Sequence, residues 1–265
     1  MGLPEENFEA LTFKGSVFEG FEMAKDLGYD GVEIAIRDPE SFPVDVLEEA
    51  INRLGMKISA IGTGLAYLAE GLSLSHRDED VRKKAVERLK SHVDLAERLD
   101  TLVIVGLIRG RAEGRNDALD LLRDSMNEVC EYAASRGVTI VLEPLNRYES
   151  DFLNTAEETL EFIKSLKCDN VGLLLDTFHM NIEEKDPVET IVRSAARLKH
   201  FHVADSNRWA PGYGHIDFHT IFHALKNIGY EGFITVESLP KPGDAKTAAA
   251  AAVEFLREIE SEVGI

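Results

Sequence analysis

The sequence predicts an α/β fold of the (β/α)8 barrel class, the TIM barrel. Three observations predict it. Short apolar runs alternate with longer amphipathic stretches along the chain of 265 residues. The apolar runs are hydrophobic on both faces, as strands are when helices cover both sides of a parallel sheet. No GxGxxG or GxxxxGK[ST] loop follows an early strand, and seven strand–helix units exceed what an open doubly wound sheet usually carries. The chain reads as one domain over residues 1–265, without internal linker, low-complexity segment or short-period repeat.

In chain order, SVFEGFEMAKDLG (16–28) has helical spacing and ends on Gly28, a residue suited to a left-handed cap. GVEIAI (31–36) is a strand, and PVDVLEEAINRLG (43–55) is a helix that opens on Pro43 and closes on Gly55. The strands KISAIG (57–62) and TLVIVGL (101–107) flank DEDVRKKAVERLKSHVDLAERL (78–99), whose acidic first turn suits the helix dipole. NDALDLLRDSMNEVCEYAASRG (116–137) is a helix leading into the strand VTIVLEP (138–144). TAEETLEFIKSL (155–166) starts on a capping-box pattern, Thr155 to Glu158, and precedes the strand VGLLLD (171–176). The helix PVETIVRSAARL (187–198), the strand LKHFHVAD (198–205), the helix IDFHTIFHALKNIG (216–229) and the strand GFITVES (232–238) follow. DAKTAAAAAVEFLREIE (244–260) is the last helix; its alanine run is helix interior, since alanine is the best helix former.

A barrel needs eight strands, and the eighth should precede residues 16–28. Residues 1–13 offer only FEALTF behind Pro4, Glu5 and Glu6, so this first strand is expected to be degenerate or missing, leaving two unpaired edges.

Charge narrows the function classes. There are 48 acidic against 29 basic residues, a formal net charge of -19. That balance argues against nucleic acid and against an anionic membrane surface, both of which select Lys and Arg. No apolar run is long enough to cross a membrane, the N-terminus has no signal-peptide core, and Glu6 stands where a myristoylation motif needs Ser or Thr. Two cysteines, Cys130 and Cys168, without motif spacing argue against a disulfide framework or a cysteine zinc site and lead to a cytoplasmic expectation.

In this architecture chemistry sits at the C-terminal ends of the strands. Four runs, the fifth to eighth strands in barrel order, place a metal-competent residue there: Glu143, Asp176, His202 and Glu237. A lone strand-end acid ordinarily caps a helix or joins a loop ion pair, and a lone histidine is ordinarily a satisfied core residue. Four at equivalent rim positions are hard to explain separately. Clustered carboxylates raise one another's pKa unless a cation joins them. Three carboxylates and one imidazole form a hard, oxygen-rich set that suits one divalent ion, Mn²⁺ foremost, with Mg²⁺, Co²⁺ and Zn²⁺ left open. His179, three residues beyond Asp176, reaches the same cleft without needing to touch the metal. Glu149 follows Glu143 by six residues, and Arg208 and Trp209 lie on the loop after His202.

VLEPLNRYE, LLLDTFHMN, FHVADSNRWAPGYGHIDF and VESLP together resemble the xylose-isomerase-like sugar isomerases and epimerases, in particular the ketose 3-epimerase branch. The resemblance covers the chain from Phe13 onward. It implies an isomerase with a single divalent metal held by Glu143, Asp176, His202 and Glu237. It also implies that Glu143 and Glu237 act as the acid/base pair, and that Glu149, His179 and Arg208 contact a small sugar substrate. A homodimer or tetramer is the implied assembly. The chemistry agrees: a metal on the carbonyl and adjacent hydroxyl oxygens stabilises an enediolate, while one carboxylate removes a proton and a second returns one on the opposite face. If a single glutamate moved the proton to the neighbouring carbon, the outcome would be aldose–ketose isomerisation. A lyase or dehydratase, or a sugar-binding protein without turnover, would keep the same scaffold.

A remoter alternative is an abasic-site endonuclease of the same fold. Those enzymes need a trinuclear zinc site with histidines on the third and fourth strands, which here end in AIGTG and VGLIRG. IRGRAEGR (108–115) places Arg109, Arg111 and Arg115 near the rim; it reads either as a solvated loop or as a site, led by Arg109, for a substrate phosphate or carboxylate. His200 reads as core, His219 and His223 as an outer-helix pair, His215 as a rim residue, and Tyr67 and Leu68 as possible pocket wall.

Overall fold

Parallel strands carry the site, and the helices that separate them lie outside. The structure, a computed structural model, describes residues 17–264. These residues form β1 (Gly31–Ala35), β2 (Lys57–Gly62), β3 (Val103–Val105), β4 (Ile140–Leu142), β5 (Val171–Asp176), β6 (Leu198–Val203) and β7 (Ile234–Val236). They pair in sequence order and all in parallel, with helices in every crossover, the (β/α)8 arrangement. The first strand, expected within residues 1–13 to be degenerate or missing, lies outside the described residues. Contacts already connect the β1 side to the last unit. The Tyr29 hydroxyl donates to the Ala249 carbonyl at 2.9 Å, and Thr235 Oγ1 donates to Ser59 Oγ at 3.3 Å.

The helices are α1 (Val17–Asp26), α2 (Val44–Leu54), α3 (Gly64–Glu70), α4 (Glu79–Leu99), α5 (Ala118–Ser135), α6 (Ala156–Lys164), α7 (Thr177–Glu183), α8 (Pro187–Ser194), α9 (Phe218–Asn227) and α10 (Ala245–Val263). The Thr155–Glu158 capping box forms, and Gly55 ends α2 in the left-handed region at φ 63°. Two helices have no sequence counterpart above. Both α3 and α7 are seven residues long, too short for a periodic pattern, and follow directly on strands. The helix expected over 187–198 stops at Ser194, because Leu198 already belongs to β6.

Strand periodicity decides what the barrel holds. Ala60, Ile104, Val141 and Leu174, from β2 to β5, form a separate inner apolar cluster. Side chains two residues further along a strand point the same way, which puts Gly62, Gly106, Glu143 and Asp176 above that layer. Across the barrel the inner layer is polar: His200 Nε2 lies 2.8 Å from Glu33 Oε2 and 3.3 Å from Thr235 Oγ1. His200 is therefore buried, as expected of a core residue, but is part of a hydrogen-bonded cluster rather than apolar packing.

The cysteines correct another expectation. Cys130 on α5 and Cys168, in the turn before β5, form a disulfide with Cα atoms 6.2 Å apart. Their separation of 38 residues carries no motif; only the α5–β4–α6 path brings them together. One bridge is no framework, but the cytoplasmic expectation loses its argument from cysteine usage. Among the described residues no helix is long and apolar enough to cross a membrane.

Candidate metal centre and substrate cleft

The four strand-end residues meet. Each of Glu143, Asp176, His202 and Glu237 offers one ligand atom, and these atoms lie within 4.8 Å of one another. His202 Nδ1 stands 3.8 Å from Glu143 Oε1, 3.9 Å from Asp176 Oδ2 and 3.7 Å from Glu237 Oε2. The backbone explains the convergence. The amides of Glu143 and Glu237 donate to Val105 and Val203, one rung beyond β4 and β7, so both side chains keep the inward phase of their strands. Gly106 leaves room beside them: a Cβ there would sit 2.6 Å from Glu143 Oε2.

Asp176 has two jobs. Its Oδ1 accepts from the amides of Phe178 (2.7 Å) and His179 (3.1 Å), capping α7, while Oδ2 faces the other ligands. Glu143 Oε1, Asp176 Oδ2 and His202 Nδ1 are buried and have no hydrogen-bond partner among the described residues. Leaving such atoms unpaired is costly. Three of them aimed at one point, two from carboxylates, fit a divalent cation.

The electrostatics say the same. Burial, reinforced by Glu237, pushes the Glu143 carboxyl well above the usual carboxylate range. Burial also raises Asp176, with Arg208 opposing. Burial pushes Glu237 up too, but Arg208 and His202 outweigh it and the carboxyl lies below its ordinary value. Burial pulls the His202 imidazole down, yet Glu33 and Glu237 hold it well above its usual value. Crowded carboxylates beside an imidazole form a negative cluster that a cation would join.

Around the cluster sit groups aimed at the same space. Asn146 Nδ2 donates to His179 Nδ1 at 2.8 Å, which places the His179 hydrogen on Nε2. That Nε2 is buried, lies 3.7 Å from Glu143 Oε1 and has no hydrogen-bond partner among the described residues. Burial and the nearby Arg208 cation hold the ring's pKa well below its ordinary value, so His179 is a neutral donor. The same Asn146 amide donates to Glu149 Oε1 at 2.9 Å. Arg208 donates to Glu237 Oε2 at 2.6 Å, and its guanidinium carbon lies 4.8 Å from the centre of the Phe178 ring. Its backbone is left-handed at φ 61°, an uncommon state for a side chain other than glycine and one that clusters at functional sites. Glu149, His179 and Arg208 all line one cavity of about 700 Å³ that runs from the rim down the β1–β7 side.

Other expected site residues are placed elsewhere. Arg109 is fully buried; its Nη1 donates to the Glu143 carbonyl, and its Nη2 donates to the carbonyls of Phe152 (3.1 Å) and Leu153 (3.2 Å). Burial pushes its pKa down to about 10. With both Nη atoms turned to the backbone and its side chain outside the cavity lining, Arg109 does not form the anion site; it braces the loop behind Glu143. We expect Arg109→Ala to cost about 3–5 kcal/mol, from the cavity and three abandoned carbonyls. Chemical denaturation measures this; unchanged stability with an altered preference between free and phosphorylated ketoses would restore the anion site. Arg111 donates to the Glu149 carbonyl and Arg115 to that of Ser75. Trp209 stays partly exposed outside the cavity lining. Tyr67 and Leu68 do not wall the cleft; Gly64 and Leu65, one turn earlier on α3, do. His215 Nδ1 meets Ser206 Oγ at 2.9 Å, and His219 pairs with Glu262 at 2.7 Å on the surface.

Sequence reasoning passed over Glu33, Asn146 and Gly106. Glu33 carried a usable signal, an acid in the middle of GVEIAI, the same anomaly that marks Asp176.

A ketose 3-epimerase of Arthrobacter globiformis is 33% identical over 238 residues, 88% of this chain and 79% of that protein. An L-ribulose 3-epimerase of Mesorhizobium japonicum is 36% identical over 222 residues, 81% of this chain and 72% of that one. The crystal structure of a Methylomonas D-allulose 3-epimerase in complex with D-allulose superposes with a TM-score of 0.84 at 28% identity, covering 94% of each chain. The family model described as xylose isomerase-like TIM barrel matches residues 21–259. Strand order, rim cluster and these likenesses agree, and the chain belongs to the xylose isomerase-like TIM-barrel family.

Proposed function

We propose that this protein is a divalent-metal-dependent epimerase that inverts C3 of a ketose. The observation that carries the reading is the convergence of unpartnered, buried Glu143 Oε1, Asp176 Oδ2 and His202 Nδ1, with Glu237 Oε2 beside them and the His179 Nε2–H at the edge. These four residues would hold a divalent cation, Mn²⁺ foremost, which would supply positive charge to the oxyanion that develops next to the reacting carbon.

The protein's own groups do the rest. Glu143 follows β4 and Glu237 follows β7, so two carboxylates enter the cleft from different sides. One takes the proton from the carbon beside the carbonyl, and the other returns one to the opposite face. His179 donates from Nε2 to a substrate oxygen, with Asn146 keeping the ring in that tautomer. Glu149 and Arg208 bind hydroxyl or carbonyl oxygens from the cleft wall. Leu65, Leu107 and Leu145 also line the cavity, and Arg208 is already paired with Glu237, which favours a free ketose over a phosphorylated one. The relatives' names, ketose and L-ribulose 3-epimerase, support the same substrate class. The resemblance further supports a homodimer or tetramer, which light scattering reads directly.

The test is a panel of ketoses and ketose phosphates incubated with Mn²⁺ or Co²⁺ in D₂O and followed by NMR. We expect deuterium at C3 of a free ketose together with its epimer. Label only at C1 would show aldose–ketose isomerisation instead, and no exchange with any sugar would sink the reading.

A further inference from the structure

The hydrogen bonds below the ligand cluster involve Glu33, which the chemistry above leaves without a role. It sits on β1, across the barrel from β6. Its Oε2 lies 2.9 Å from His202 Nε2 and 2.8 Å from His200 Nε2. His200 and His202 are two residues apart on β6, both inward, with ring centroids 5.0 Å apart and planes at 79°. One carboxylate oxygen thus takes two imidazole N–H groups, one from each layer.

We infer that Glu33, steadied by His200, is a positioning residue that orients His202 for metal binding. An imidazole can bind a cation only through a nitrogen without hydrogen, and the partner of the other nitrogen decides which one that is. In the neutral ring that a cation binds, donation of Nε2–H to Glu33 leaves Nδ1 as the lone-pair nitrogen, and Nδ1 is the atom facing Glu143, Asp176 and Glu237. The contact also stops the ring from turning over, because a flipped ring would aim Nε2 away from its acceptor. His200 gives the same oxygen a second donor, so Glu33 is anchored from the layer beneath. Glu33, His200 and His202 also meet the spacing of a metal cluster of their own. The 2.8 and 2.9 Å contacts to a single oxygen are, however, hydrogen-bond distances, with a hydrogen between the atoms.

The inference rests on the metal reading, and its test separates the two. Co²⁺ affinity is measured by chelator competition, stoichiometry by elemental analysis, and ligand geometry by the visible Co²⁺ spectrum. Wild type, Glu33→Gln and Glu33→Asp are compared, each checked for folding by circular dichroism before metal is added. We expect one Co²⁺ per wild-type chain, affinity about 10- to 100-fold weaker in Glu33→Gln with a shifted visible band, and a smaller loss in Glu33→Asp, which keeps the charge. A merely structural role would not move the spectrum. Unchanged affinity and spectrum in both variants would overturn the inference alone. Two Co²⁺ per wild-type chain, falling to one in Glu33→Gln, would also overturn it, by making Glu33 a ligand. Failure of the wild type to bind Co²⁺ would overturn both this inference and the metal reading.

Discussion

We expect Glu143→Gln and Glu237→Gln each to lower kcat about 10²- to 10⁴-fold at saturating metal, the range that a positioned proton-transfer group supplies. Glutamine keeps the size of the side chain and a carbonyl oxygen for ligation, but it cannot hold or move a proton. Both positions sit one rung past their strands, so the substitution leaves the ladder bonds to Val105 and Val203 in place. The loss is therefore chemical rather than structural, and circular dichroism should show an intact fold. The two variants should also differ from each other. If each glutamate serves one face of the carbon, each variant still exchanges deuterium into one C3 epimer and not into the other. Exchange of both epimers by a single variant would show that one residue serves both faces. Wild-type kcat in either variant would remove that glutamate from the chemistry.

Removal of metal should have the second large effect. Dialysis against a chelator should abolish turnover, and Mn²⁺ or Co²⁺ should restore it. Stability should move with it. Burial pushes the Glu143 and Asp176 carboxyls upward by more than His202 and Arg208 pull them down, and a cation would offset the remainder. At a metal concentration 100-fold above Kd, linkage adds about 2.7 kcal/mol, or roughly 5–10 °C in Tm for a chain of this size. Asp176→Asn separates the two duties of this residue. The amide oxygen can still cap α7 through the Phe178 and His179 amides, while the charge facing the other candidate ligands is gone. We expect a fold close to wild type with no thermal response to metal. A wild-type Tm indifferent to Mn²⁺, Mg²⁺, Co²⁺ and Zn²⁺, with activity insensitive to chelation, would end the metal reading.

Several features were legible because they are local. Asp176 and Glu143 stand at the ends of runs of buried strand residues, where an acid needs a reason, and strand period alone sets which way they point. Thr155 and Glu158 cap their helix from three residues away. Arg109 was misplaced for the opposite reason. A guanidinium reaches far, and whether it meets a substrate anion or the carbonyls of Phe152 and Leu153 depends on a loop more than forty residues on. Cys130 and Cys168 met across two intervening elements, β4 and α6, with nothing in their spacing to announce it.

By itself, the sequence determined the strand–helix alternation, the inward phase of each strand and the set of acids and histidines delivered to one rim. These follow from backbone periodicity and from the cost of burying charge, both of which act over a few residues. The tertiary structure alone decided how those groups divide their work. It closed β1 toward β6 so that Glu33 takes both His200 and His202, turned one oxygen of Asp176 to a helix cap and the other to the cluster, and directed Arg109 into backbone carbonyls. Such choices are made between atoms far apart in the chain, where barrel closure and loop path, rather than local pattern, set which donor meets which acceptor.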